Sequence, residues 1–266
     1  MELQYDIWPV QPVAPYIGGK RNLAKRVVAR IEAVPHDGYA EPFVGMAGVF
    51  FRRRRAPKVE VINDYNQEVA TLFRVLQRHY VPFLDMLRFQ LTTRREFERL
   101  QVTDPGTLTD LERAARFLYL QRTGFGGKVD GRTFGLSNDR PARFDVAKLA
   151  PMLEDVHERL SGVVIECLDF REFLRRYDRA GMLFYLDPPY WGSESDYGEG
   201  MFRRQDFQEL AAALRGLKGR FLLSINDRPE LRDIFDGLTM ESVETTYTVA
   251  KEGGGKAAPE LLISGP

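Results

Sequence analysis

The residues most able to do chemistry are Leu183-Phe184-Tyr185-Leu186-Asp187-Pro188-Pro189-Tyr190, an apolar run that ends in an acid, two prolines and an aromatic. An unbroken apolar run of this length reads as a strand buried on both faces of a parallel sheet, and ligands of such sheets bind at the carboxyl ends of the strands. Asp187 stands at that end. Prolines cannot donate to a ladder, so Pro188 and Pro189 stop pairing and leave carbonyl oxygens exposed as acceptors. An aromatic amine is a weak nucleophile because its lone pair is delocalised. Two acceptors on its hydrogens, the Asp187 carboxylate and the Pro188 carbonyl, would draw the nitrogen toward tetrahedral geometry and stabilise the positive charge that grows on attack. The Tyr190 ring offers a base a surface to stack on.

A second constellation lies earlier in the chain: a Gly18-Gly19-Lys20 turn, then Glu41-Pro42-Phe43-Val44-Gly45 with Ala47 and Gly48, then Asn63-Asp64. Small residues at Gly45, Ala47 and Gly48 let a ligand approach the backbone closely. Asp64, at the end of a strand, is placed to accept the two hydroxyls of a ribose, or else to cap the helix that follows. Asp169-Phe170 carries the same pair of readings, an adenosine contact or a helix cap followed by a core aromatic.

The elements that must position these residues follow from hydrophobic period. Helices are expected over 22–32, where Leu23, Val27, Val28 and Ile31 recur at helical spacing, and over 66–79, 94–100, 111–122, 152–160 and 205–214. Strands are expected at 39–43, 59–63, 163–167, 182–186 and 221–225, with closing strands near 241–248 and 260–264. The alternation of strands and helices is that of an α/β sheet. Between 77 and 144 it lapses into arginine-rich helical patterns and a basic glycine-rich stretch from Gly124 to Arg132, whose punctuation marks a hairpin or loop. The sheet domain is therefore expected in two blocks, 1–76 and 145–266, with 77–144 as an insert.

Together these motifs resemble the alpha-group, Dam-type DNA adenine N6-methyltransferases. Asp187-Pro188-Pro189-Tyr190 matches the catalytic tetrapeptide of amino-methyltransferases, and the glycine turn and cofactor strand precede it, as in that group. Further matches are Val49-Phe50, Phe117-Leu118-Tyr119-Leu120, Ser224 to Asp227 and Glu260-Leu261-Leu262. The resemblance implies a Rossmann-like seven-stranded sheet with a helical DNA-recognition insert, S-adenosyl-L-methionine as cofactor, and a base-flipping enzyme acting on double-stranded DNA. It implies catalysis by Asp187, Pro188, Pro189 and Tyr190. It further implies a cofactor site of Tyr16, Gly18, Gly19, Lys20, Glu41, Pro42, Phe43, Gly45 and Asp64, with Asp169, Phe170 and Asp187. Ala47 departs from the family, which usually has a second glycine there, and the stretch around Gly126 to Asp130 lacks the bulkier residues of Dam-type enzymes, so the target sequence does not carry over. RNA adenine, cytosine amino groups, or a non-catalytic DNA-binding role stay open on the sequence.

Charge supports a polyanionic partner despite a formal net charge of zero. Residues 1–150 hold 24 Lys and Arg against 17 Asp and Glu, whereas residues 151–266 hold 14 against 21. Arg94, Arg95, Arg122, Lys128, Arg132, Arg140 and Arg143 are the expected DNA contacts, Lys128 and Arg132 as base readers and the rest on phosphates. The run Arg52 to Arg55 reads as a helix end. The single cysteine, Cys167, excludes an intrachain disulfide framework, and three scattered histidines argue against a metal centre. With no leader pattern and no apolar stretch of spanning length, the expectation is a cytoplasmic monomer or weak dimer with no membrane partner.

Overall fold

In the computed structural model, which describes residues 4–18, 20, 23–129, 131–135, 143–194, 198, 200–247 and 256–265, the apolar strands assemble into one seven-stranded sheet. The chain starts with β1 (Gln4–Asp6), α1 (Ala24–Ala33) and β2 (Gly38–Glu41), then β3 (Arg55–Pro57), β4 (Val59–Asn63) and α2 (Gln67–Arg78). Three helices follow, α3 (Tyr80–Leu87), α4 (Arg94–Val102) and α5 (Asp110–Thr123), and then α6 (Val146–Arg159) leads to β5 (Val164–Glu166) and α7 (Phe170–Tyr177). The last block is β6 (Met182–Leu186), α8 (Arg204–Arg215), β7 (Arg220–Asn226), α9 (Pro229–Ile234), β8 (Thr239–Tyr247) and β9 (Lys256–Gly265).

The strand order is β5-β4-β2-β6-β7-β9-β8, parallel from β5 to β7, with β9 antiparallel to both of its neighbours. The chain moves outward from β2 to β5 and returns at β6, so β2 and β6 flank the point where strand order reverses. A crevice opens at such a point beyond the carboxyl ends of the strands. This is the Rossmann-like class expected from the sequence. The period of β6 explains its lack of polar residues: Leu183 and Tyr185 enter one core layer, while Met182, Phe184 and Leu186 enter the other.

Side chains close the helix ends. Asn66 caps α2 by accepting from Glu68 N at 3.0 Å, Thr93 caps α4 by accepting from Glu96 N at 3.1 Å, and Thr109 with Glu112 forms a capping box on α5. Helix α5 is buried along most of its second half, where Phe117 to Leu120 share one core with residues of α2, α3 and α6. Helices α3, α7 and α9 and the small β1–β3 sheet have no counterpart among the elements expected from the sequence. Helix α3 starts directly after α2, with His79 between them, and α7 and α9, of 8 and 6 residues, are shorter than the window over which helical periodicity is read.

The arginine run is not a helix end exposed to solvent. Only its first residue lies in a short 3₁₀ turn, and Arg53 is fully buried, with its guanidinium 3.7 Å from the Tyr39 ring centroid and 4.9 Å from that of Phe50. It pairs with Glu60, which also takes Arg159 at 2.7 Å. The charge is admitted to the core because carboxylate and aromatic faces replace its water.

Candidate active site

A cavity of about 550 Å³ opens at the carboxyl ends of β2, β4 and β6, a volume typical of a cofactor pocket. Its wall includes Tyr16, Gly18, Lys20, Glu41, Phe43, Gly45, Asp64 and Asp187, so the structure gathers most of the expected cofactor residues around one space. Pro42 and Phe170 stand behind the wall. The Pro42 carbonyl accepts from Asn63 Nδ2 at 2.9 Å, and the Phe170 ring packs 5.6 Å from Phe43. Gly19 lies outside the described residues.

Backbone geometry makes room for the cavity. Gly45 has φ +50, and a methyl group added there would come within 3.0 Å of the Tyr16 ring. Ala47 holds φ +58, so it adopts the left-handed conformation that the family's glycine would take without strain. The turn is formed with alanine at this position. Asp64 holds this loop in place, with Oδ2 accepting from Gly45 N at 2.8 Å and Oδ1 from Asn66 N at 2.9 Å. Since Asn66 is the cap of α2, the helix-cap reading of Asp64 does not hold. Burial raises the Asp64 carboxyl to about 6, against the opposing hydrogen bonds from Asn66 and Gly45.

For Asp169 the helix-cap alternative is the one the fold adopts. Its Oδ1 accepts from Arg171 N at 2.8 Å at the start of α7, and its Oδ2 pairs with Arg171 at 2.8 Å. Neither Asp169 nor Phe170 reaches the cavity wall, because the cap turns the acid toward its own helix and the aromatic into the core.

The second half of the site is an ionic cluster around Asp187. Lys20 is only 4% exposed, and its ammonium lies 2.9 Å from Asp187 Oδ1 and 3.3 Å from Glu260 Oε2, while also donating to the Tyr190 hydroxyl. The same ammonium stands 4.1 Å from the Tyr190 ring centroid, and the Tyr190 hydroxyl donates to Glu260 Oε1 at 2.6 Å. Ser224 donates to Asp187 Oδ1 at 3.4 Å and is itself bonded to Tyr185 at 2.7 Å. Burial raises Asp187 to about 6, with Lys20 pulling it down and Glu260 pushing it up. Burial likewise raises Glu41 to about 8 and pushes the Tyr190 phenol far above its usual range. The turn after Tyr190 is pinned by Asn226, which accepts from Trp191 N at 3.0 Å and donates to Trp191 O at 3.1 Å. Pro189 joins the cavity wall, whereas Pro188 and Tyr190 stand beside it.

Glu260 and Ser224 fall in stretches that match the family, but neither they nor Tyr185 receives a role from the sequence. The contacts that give them one cross between β6, β7 and the reversed β9, and no local pattern announces such contacts. Arg122 is the other surprise. It lines the cavity, donating to Val13 O at 2.6 Å and to Arg143 O at 3.1 Å, so its guanidinium clamps the N-terminal segment rather than standing on the surface. Its neighbour Gln121 donates to Pro15 O at 2.9 Å and Gly127 O at 2.6 Å, and Ile17 N donates to Gly127 O at 2.9 Å. The glycine-rich loop, closed by a bridge between Gly124 and Phe134, is thus docked against the segment that carries Tyr16 and Lys20. Of the other expected DNA contacts, Arg94, Arg95 and Lys128 are exposed, Arg132 is half-buried and donates to Lys128 O and Gln121 Oε1, and Arg143 donates to Gly124 O. Arg140 lies outside the described residues.

Residues 16–249 match the model of the D12 class of N6 adenine-specific DNA methyltransferases, and the chain belongs to that family. It is 23% identical to the type II methyltransferase M.CviBI of Paramecium bursaria Chlorella virus NC1A, over 92% of this chain and 94% of that one. Its identity to the type II methyltransferase M1.LlaDCHI of Lactococcus lactis subsp. cremoris is 25%, over 98% of each. Against a DNA adenine methylase of Haemophilus influenzae it is 23%, over 96% and 93%. The family activity is S-adenosylmethionine-dependent methylation of adenine in DNA. Among the described residues no helix is long and apolar enough to cross a membrane.

Proposed function

We propose that this chain methylates the 6-amino group of an adenine flipped out of double-stranded DNA at a specific site. The observation that carries this reading is Asp187, held at the end of β6 beside the strand-order reversal, with Lys20 and Ser224 both converging on its Oδ1. Oδ2 is then left as the acceptor for one amino hydrogen, and the Pro188 carbonyl takes the other. An extruded base, not a stacked one, can reach a carboxylate recessed to this depth.

The cavity fits S-adenosylmethionine in size and in chemistry: small residues and positive φ at Gly45 and Ala47 leave backbone open to a ligand, and Asp64 offers a buried acceptor for ribose hydroxyls. Tyr16, Gly18, Lys20, Glu41, Phe43, Gly45 and Asp64 would hold it. When bound, the cofactor supplies an electrophilic methyl on a sulfonium. The protein's part is to aim the amine and to exclude water, with Phe43 and Phe202 closing one wall and Phe170 packed behind both. In this structure the Lys20 ammonium sits toward the hydroxyl edge of the Tyr190 ring, where it also donates to the phenol oxygen, and ring face is left for a stacked base.

The segment 77–144 is assigned the target-recognition role. Arg94, Arg95 and Lys128 are its exposed cations among those named, and the guanidinium of Arg94 lies 5.2 Å from the Phe134 ring centroid. The internal bonds of Arg132 and Arg143 make them shapers of the loop, so base reading falls to Lys128. Two tests address these assignments. Methylated positions mapped in DNA of a host expressing the protein should share one short sequence, and 2-aminopurine at the target should brighten on binding. Scattered methylation or an unchanged fluorescence would overturn site-specific base flipping. In salt titrations, neutralising Arg94 and Arg95 should flatten the slope of log K by about one unit for each arginine removed from a phosphate.

Asp64→Ala is expected to weaken cofactor binding by roughly tenfold or more, since two charge-assisted acceptors vanish and Gly45 N loses its partner. Calorimetric titration measures it. An affinity within a factor of two of wild type would remove Asp64 from the site.

A further inference from the structure

Glu260 is a single acid on a strand segment whose next three residues, Leu261, Leu262 and Ile263, are all buried and apolar. It is 1% exposed, and β9 runs against the other strands, pairing Glu260 with Asn226 at the carboxyl end of β7. A reversed strand is what lets a residue this close to the end of the sequence reach the site formed by β2 and β6. Burying a carboxylate costs several kcal/mol unless its surroundings answer the charge. Here the answer is partial. Oε1 accepts from the Tyr190 hydroxyl at 2.6 Å, while Oε2 faces the Lys20 ammonium at 3.3 Å without hydrogen-bond alignment and has no hydrogen-bond partner among the described residues.

The formal charges nearest this point are Lys20, Asp187 and Glu260, one positive and two negative. Of the other acids near them, Glu41 sits mostly protonated at neutral pH because burial raises it to about 8, and Glu60 pairs with two arginines, Arg53 and Arg159, which leave that buried triad one charge positive. Asp64, Arg52 and Arg122 also line the cavity, Asp64 under two backbone amides, Arg52 donating to Gly48 O, and Arg122 to Val13 O and Arg143 O. The cluster is thus one charge negative. S-adenosylmethionine carries a sulfonium beyond its self-cancelling ammonium and carboxylate, whereas the product S-adenosylhomocysteine is a neutral thioether.

We propose that Glu260 is a positioning residue that shares Lys20 with Asp187 and, by leaving that cluster at the end of β6 one charge negative, makes the site hold the sulfonium cofactor in preference to the thioether product. This rests on the reading of the cavity as the S-adenosylmethionine site. Without Glu260 the single ammonium would neutralise Asp187 fully, and the site would distinguish the two ligands only by a methyl group. A site that holds the thioether less tightly than the sulfonium would also suffer less product inhibition.

The test is calorimetric titration of the full chain with S-adenosylmethionine, S-adenosylhomocysteine and sinefungin, which carries an amine in place of the sulfonium. Glu260→Gln keeps the shape and an acceptor for Tyr190. It should weaken binding of the two cationic ligands about tenfold and change S-adenosylhomocysteine affinity less than threefold. Glu260→Asp, which keeps the charge, should restore most of the preference. In the wild type the ratio of the two affinities should rise between pH 5 and pH 7 as Asp187, together with Asp64 on the same cavity, ionises near 6. A pH-rate profile adds a readout that a packing role would not move. Removal of the negative neighbour eases ionisation of Asp187, so the acid limb of the Glu260→Gln profile should shift to lower pH. Equal loss for cationic and neutral ligands on Glu260→Gln overturns the proposal. Failure of the wild type to bind S-adenosylmethionine at all would instead overturn the reading of the cavity.

Discussion

Asp187→Ala is expected to reduce methyl transfer at least a hundredfold while the protein remains folded and still binds DNA. The carboxylate is the acceptor aimed at the nitrogen on which charge develops, and loss of one such preorganised group costs about 3–4 kcal/mol of transition-state stabilisation. The variant also leaves Lys20 with Glu260 as its only acid partner within the cluster, so circular dichroism and a gel-shift assay belong beside the kinetics. Asp187→Asn separates shape from charge: the amide keeps the space and loses one acceptor, and turnover should fall nearly as far. Turnover of the wild type should rise with pH through about 6, because burial holds the Asp187 proton that long and the protonated form cannot accept from the amine. Turnover of the Ala variant above a hundredth of wild type would remove Asp187 from the chemistry.

The largest effect on stability is expected at Glu41. Burial raises this carboxyl from 4.5 to about 8, with Arg53 and the Tyr39 hydroxyl only partly offsetting it. A carboxyl whose folded value is raised contributes its full stability below the unfolded value, and that contribution is lost as pH rises through the folded one. The ligand-free protein should therefore lose stability between pH 5 and pH 9, and Glu41→Gln should flatten the loss. The difference between the two at pH 9 is expected to be on the order of a few kcal/mol in favour of the variant, at roughly 2–4 °C of melting temperature per kcal/mol. Asp64 and Asp187 titrate lower, near 6, so the window from pH 7 to pH 9 reports Glu41. Parallel melting profiles for the two proteins across that window would show that Glu41 is ionised in the fold.

The parts of the site legible in the sequence are those where one local pattern serves one purpose. The apolar run of β6 can only be a doubly covered strand, its end is set by prolines, and the acid is adjacent to them, so the position of Asp187 follows without reference to any partner. Strands at 59–63 and 182–186 coincide with the expected ranges for the same reason. Lys20 and Glu260 differ in kind. They are 240 positions apart, and only the reversal of β9 against β7 brings the acid to the lysine. By residue type Arg122 and Arg53 are cations that belong in solvent, whereas carbonyls at Val13 and Arg143 and the carboxylate of Glu60 provide each with an interior environment. Periodicity shows which face of a helix is apolar, but not which polar residue will find a buried partner.

The glycine-rich loop is legible in the same partial way. Its composition marks a turn, and the bridge between Gly124 and Phe134 is such a turn, yet Gly127 is also a docking point. Its carbonyl takes the Ile17 amide and the Gln121 side chain, and a methyl at Gly127 would meet the Tyr16 backbone at 3.0 Å. The loop proposed to read DNA and the segment proposed to hold the cofactor are therefore in direct contact.

Transfer of a methyl group from S-adenosylmethionine to the 6-amino nitrogen of adenine in DNA is tested most directly by product analysis. The purified protein is incubated with cofactor labelled in the methyl group and with duplex DNA, and the DNA is digested to nucleosides and separated by chromatography. The label should appear in N6-methyladenosine of the deoxy series, and the Asp187→Ala protein run in parallel should leave none. Label recovered in a modified cytosine, or only when RNA replaces DNA, or equally from the Asp187→Ala protein, would contradict the assignment.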